Sequence, residues 1–202
     1  MSQPEPTPPT PLPQRPPRHA LQERVSAALL EAAARTLASY GEQASMNDVA
    51  VAAGVARATV YRYFPNRNAL LDALARVAVG DATSRLAAAR LDEVEVNEAV
   101  RRAVRALVEV GDYLLVITRE RVRPNPEQFE QGISRPLSRL FERGRASGTL
   151  RDDIPTSWLT ESLVGLIGSV LPATPALGKE DTIAAISSMF LDGTRGSPRA
   201  SG

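Results

Sequence analysis

Between positions 45 and 67 the chain concentrates side chains that can hydrogen-bond to nucleic acid: Ser45, Arg57, Thr59, Tyr61, Arg62, Tyr63 and Arg67. Arg57 can fork onto a guanine, and Tyr61 can touch a thymine methyl or a phosphate. Ser45, Thr59, Tyr63 and Arg67 suit phosphate contacts that set register without reading sequence, and Arg62 suits either role. Tyr63 has an alternative in packing on the first helix. Catalysis finds much less to work with. There is no cysteine, and the single histidine, His19, sits beside a proline-rich leader. Thiol chemistry, Ser-His-Asp hydrolysis and Cys/His-ligated zinc therefore lack their residues. No glycine-rich phosphate loop is present to hold a nucleotide. The expectation is a protein without metal or cofactor that is not an enzyme.

The elements that must hold these side chains are legible around them in SMNDVAVAAGVARATVYRYFPNRNALL, residues 45–71. Ser45 is an N-cap, with Asp48 three residues on in the aspartate form of a capping box. Val49, Ala50 and Ala53 follow at helical spacing. Gly54 stops that helix where a positive φ is tolerated, and Val55 plugs the turn. A second helix over 57–64 turns Val60 and Phe64 inward, and Pro65 ends it. Two helices crossing steeply need a small residue at the contact (Ala50), a flexible turn (Gly54) and a β-branched wedge (Val60). This is a helix-turn-helix, with the arginines and tyrosines on the outward face of its second helix. An ordinary helical hairpin is the alternative, but it has no reason to expose two tyrosines beside two arginines.

The run GVARATVYRYFPNRNALLDAL resembles the recognition-helix signature of TetR-family transcriptional regulators, through Thr59, Tyr61, Tyr63, Phe64, Pro65 and Arg67. Ala58 stands where the family often has glycine, Arg67 replaces the usual lysine and Asn68 an acidic residue. Specific matching covers roughly residues 21–74. The resemblance implies an all-α protein of about nine helices, an N-terminal three-helix DNA-binding domain followed by a helical ligand-binding and dimerisation domain. It makes Ser45, Arg57, Ala58, Thr59, Tyr61, Arg62, Tyr63 and Arg67 the DNA-contacting set. It also implies a homodimer on a palindromic double-stranded operator, acting as a repressor that a small molecule releases. A helical small-molecule-binding or interaction protein whose helix-turn-helix no longer reads DNA is the alternative, and exposed Arg57, Tyr61, Arg62 and Arg67 count against it.

With 202 residues and a net charge of only +1, DNA affinity must come from local arrangement, not from bulk attraction. Residues 1–18 hold eight of the sixteen prolines and read as an extended leader. Arg15, Arg18 and His19, just before the first helix, read as part of a solvated leader, with a minor-groove arm as the alternative. The DNA-binding domain is expected over 19–80, braced by a helix over 20–39 whose stripe runs Leu21, Val25, Ala28, Leu29, Ala32, Leu37. A helix from about 66 to the mid-eighties should link the domains.

The second domain, 81–193, shows helical patterns over 96–110, 127–146 (with Pro136 as a kink or the mark of an interrupted segment), 155–171 and 179–192, and a dense apolar run over 113–117. The last two are apolar on more than one side and are expected to pair with a twin's in a two-fold four-helix interface. A frayed tail, 194–202, closes the chain. By the resemblance, a mostly apolar ligand cavity lies within 90–175, with Tyr113, Phe129, Phe141 and Trp158 as aromatic candidates and Arg119 or Glu161 as polar anchors. Each aromatic could equally be core. No apolar window spans a membrane and no apolar signal core is present, so a cytoplasmic protein is expected.

Overall fold

The computed structural model describes residues 18–171 and 177–196. The leader with Arg15, residues 172–176 and the tail beyond 196 lie outside the described residues. Within them the protein is helical: α1 Arg18–Tyr40, α2 Met46–Ala52, α3 Arg57–Tyr63, α4 Arg67–Ala88, α5 Val96–Val108, α6 Asp112–Arg119, α7 Pro126–Phe129, α8 Arg135–Ala146, α9 Thr156–Val170 and α10 Lys179–Thr194. Arg18 and His19 open α1 and so belong to a helix, not to an extended arm.

Local chemistry sets the ends of the reading unit. The backbone N–H of Asp48 donates to Ser45 Oγ at 3.2 Å, while Ser45 N–H donates to Asp48 Oδ2 at 2.8 Å, a closed capping box. After α2, Gly54 takes φ +67°, its N–H bonding Val51 O and that of Val55 bonding Ala50 O. These are the two bonds of a Schellman stop, and they need a residue at ease in the left-handed region. Asn66 caps α4 by accepting from Ala69 N–H at 2.8 Å.

Two cores result. In the first, Leu29, Ala33 and Leu37 of α1, Val49 and Ala50 of α2, Val60 and Phe64, and Leu70 and Leu74 of α4 pack together. Val116 of α6 joins them, fully buried. The stripe on α1 begins later than its periodicity suggests: Leu21 and Ala28 are exposed, because the first turns of α1 lie clear of the bundle. The second core gathers α4, α5, α6, α8, α9 and α10 around Val100, Val104, Leu137, Leu140, Phe141, Leu163 and Ile186. Because α4 contributes to both, the line at residue 80 crosses a continuous helix.

The 126–146 segment does not run through to Pro136 as one α-helix; it is interrupted just before that residue, one of the two expected readings. A π turn, Glu130–Ser134, precedes α8, with the Arg135 N–H reaching back to Glu130 O. The wider turn absorbs the bond that proline cannot make. Nor does the chain fray at 194. Leu150 and Arg195 form an antiparallel bridge, and Gly196 N–H donates to Thr149 O at 3.0 Å.

Candidate nucleic-acid interface and ligand cavity

α3 is seven residues long and is held from beneath by Val60 and Phe64, which leaves its other sides free. Arg57, Ala58 and Arg62 are exposed, and Thr59, Tyr61 and Tyr63 are half-buried. The half-burial of the tyrosines is packing: both rings rest on the edge of the first core. Each in turn supports an arginine. The Arg57 guanidinium lies 5.2 Å from the Tyr61 ring centroid and donates to its hydroxyl at 3.3 Å, and Arg62 stands 5.4 Å over Tyr63. An arginine stacked on a ring keeps its fork pointed outward and loses less freedom when it meets a base. Ser45 lies at the start of α2, where its hydroxyl also donates to Asp48 Oδ2 at 2.6 Å. These bonds hold the Asp48 carboxyl below its ordinary pKa.

Arg67 departs from the sequence expectation. Its guanidinium turns back into the protein, donating from Nη1 to Ala44 O and from Nη2 to Gly41 O at 3.5 Å. It also pairs with Glu120 Oε1 at 2.8 Å. Glu120, at the end of α6, is only 10% exposed, against 30% for Arg67. An arginine spending its donors on two carbonyls and a carboxylate has few left for a phosphate.

The second domain carries a partly open apolar cavity of about 30 Å³. Its wall is Ala78, Val79 and Ala82 of α4, Leu107, Leu114 and Ile117, and then Phe129, Ile133, Val164 and Ile167, with Pro124 at the edge. Of the six residues expected at a ligand site, Phe129 alone lines it. Phe141 is core, its ring 5.5 Å from that of Phe190 and fully buried. Trp158 is 66% exposed on α9, and Glu161 is exposed one turn along. Arg119 donates to Ala38 O of α1 at 2.6 Å. Tyr113 faces α1, where burial chiefly, with Glu31 next, raises its pKa. A larger groove of about 910 Å³ between α5 and α10 is open and polar. Its arginines are already paired, Arg105 with Glu180 at 2.6 Å and Arg102 with Glu98 at 3.0 Å, which leaves no free guanidinium there for an anion.

Known proteins resolve what this arrangement is. The family of bacterial regulatory proteins, tetR family, matches residues 29–74, the three helices of the reading unit and the start of α4. The HTH-type transcriptional repressor LfrR of Mycolicibacterium smegmatis is 35% identical over 141 residues, 68% of this chain and 72% of that protein. The chain belongs to the TetR family. It is a ligand-responsive, DNA-binding transcriptional regulator. The crystal structure of LfrR from Mycobacterium smegmatis in complex with proflavine superposes with a TM-score of 0.70, at 27% identity over 87% of this chain and 99% of that one. The fatty acid degradation regulator FadR from Bacillus halodurans shares the fold with a TM-score of 0.65, at 21% identity over 86% of this chain and 97% of that one.

For a TetR-family regulator the residues that sequence reasoning missed are the informative ones. α6 presents Leu114 and Ile117 to the cavity and Val116 to the core of the reading unit. Its last turn then holds that unit through Arg119 and Glu120. The apolar run over 113–117 was visible in the sequence, but its division between two cores was not. Among the described residues no helix is long and apolar enough to cross a membrane.

Proposed function

We propose that two copies of this chain bind a two-fold DNA operator as a repressor and that a small organic molecule, entering at the α4–α9 cavity, releases them. The outward face of α3 carries the reading: Arg57 and Tyr61 meet base edges, Arg62 meets a base or a phosphate, and Ala58, Thr59 and Tyr63 lie against the backbone. Ser45 is a phosphate contact through whatever its cap leaves free. Arg67 is a strut between domains, not a phosphate anchor. The dimer forms through α9 and α10, whose outer faces leave Trp158 and Met189 exposed. Two reading heads one helical turn apart are what a palindrome needs. Acting on chromosomal DNA, the protein works in the cytoplasm and catalyses nothing. LfrR crystallised with proflavine supports a small organic effector for this chain too.

The single observation that carries the reading is the exposed, ring-supported pair Arg57 and Arg62 on α3. Release follows from α6. A molecule that pushes on Leu114 and Ile117 moves a helix whose far side is locked to α1 and α4, and a few kcal/mol of preference for the displaced state suffices to empty the operator. Footprinting of the purified protein across its own genome tests this: protected sites should be two-fold symmetric. Protection no better than on random DNA would end the proposal. Trp158→Arg should shift the protein to monomer in analytical ultracentrifugation.

A further inference from the structure

Given the proposed regulatory role, on which this step rests, we infer that the effector is an uncharged, apolar molecule: the cavity selects against both a cation and an anion. Every side chain in its wall is hydrocarbon. Two hydroxyls on the neighbouring turns have committed their protons, Thr83 Oγ1 donating to Val79 O at 2.7 Å and Thr118 Oγ1 to Leu114 O at 2.8 Å, and neither residue lines the wall. None of the charged groups on the surrounding helices lines the cavity: Asp72, Arg76 and Asp112 are exposed, and others are paired. Arg85 pairs with Asp81 at 2.8 Å and Glu109 at 3.0 Å, Arg119 bonds α1, and Glu120 holds Arg67. Glu161 looks outward from α9. A buried charge without a partner costs several kcal/mol, and a charged guest entering this wall meets no polar or charged side chain to offset its lost hydration.

In the chain on either side of Pro124 and Phe129, Arg121 and Arg123 are exposed, as are Glu127 and Glu130, the last 3.8 Å from Arg135. That balance gives neither sign of head group an advantage, and water screens what remains. The cavity as it stands has room for little more than one water molecule. A guest must therefore part the wall. The seam that gives way is the π turn carrying Ile133, with Phe129 just before it, since π turns interrupt the regular helix ladder. Gly132 sits against Thr83 so closely that a Cβ there would fall 2.0 Å from Thr83 Oγ1, so the movement opens away from α4.

Three probes with one chain length and different heads decide the matter: decanol, decanoate and decylammonium, each below its micelle concentration at neutral pH. Decanol should raise the melting temperature of the full-length protein, followed by circular dichroism, and weaken operator binding about tenfold, a typical coupling. The two ions should do neither to a comparable degree. Decanoate or decylammonium raising the melting temperature as much as decanol would overturn the inference. So would decanol failing to raise it. Phe129→Glu localises the effect: it should abolish the decanol shift and introduce one with decylammonium, whereas Phe129→Leu keeps the wild-type order. An unchanged decanol shift in Phe129→Glu also overturns it, and if that variant does not fold the wild-type comparison decides alone. Decanol binding without operator release would leave the chemistry of the site standing and count against the regulatory reading instead.

Discussion

The two halves of the molecule build their sites in opposite ways. The reading face lies on one seven-residue helix, so its members are neighbours in sequence and their relative placement follows from helical geometry. The cavity draws its wall from α4, α5, α6, the α7 region and α9, spanning residues 78 to 167. A contiguous site tolerates a loosely defined surround, because each side chain is aimed by its own helix. A dispersed site exists only when all the helices have taken their final rotations. Changes to the first should thus alter recognition with little cost in stability, and changes around the second should do the reverse.

Phe141→Ala tests that contrast most forcefully. A fully buried ring packed on Phe190 is lost, and the protein should lose about 3–5 kcal/mol of stability in chemical denaturation. If Phe141 were instead a ligand contact at a cavity wall, the stability loss would be small and the effector response large. At the reading face, Arg57→Ala should relax preference at one operator position at a cost of about 1–3 kcal/mol, with an unaltered melting temperature. Equal losses across a full binding matrix would remove Arg57 from the base-reading role.

Arg67 sits between the halves and sharpens the comparison. Had it been a phosphate anchor, Arg67→Ala would flatten the dependence of affinity on salt by about one ion. As a strut to Glu120 and to the carbonyls of Gly41 and Ala44, its loss should leave the salt slope intact and weaken the effector response. Glu120→Gln should reproduce that weakened response. An unaltered slope with an unaltered response would leave the pair without a role in coupling.

The smallest effect is expected at Asp48. Bonds from Ser45 hold its folded pKa below the ordinary carboxylate value, so its contribution to stability is present above that value. The contribution disappears as pH falls through the depressed folded pKa, since protonation then removes the acceptor. Thermal unfolding of wild type and Asp48→Asn should therefore converge only in acid, below about pH 4. Convergence at neutral pH would mean that the capping box contributes nothing to α2.

Much of the reading unit was legible in the amino-acid order because its signals are short-range. The Ser45–Asp48 box spans three residues, the Gly54 stop uses bonds over three and five, and Pro65 acts on its immediate neighbours. Helix periods likewise revealed the all-α class and most of the second domain's segments. The amphipathic period says which residues share a face, but not which face a neighbour covers. Hence Trp158 and Phe141, both aromatic residues on helices of the second domain, ended up outside and in the core respectively. Arg67 is the same lesson in charge: its type marked it for a phosphate, yet its partner lies 53 residues away.

The chain's local chemistry thus settled by itself where α2 begins and stops, where α3 stops and which of its residues share a face, because caps, turns and i to i+4 spacing act within a few residues. Only the packed molecule decided that α6 belongs to both cores, that the cavity wall carries no charge, and that Arg67 bridges the domains. Those facts depend on the rotation and approach of helices far apart in sequence, which no local pattern encodes.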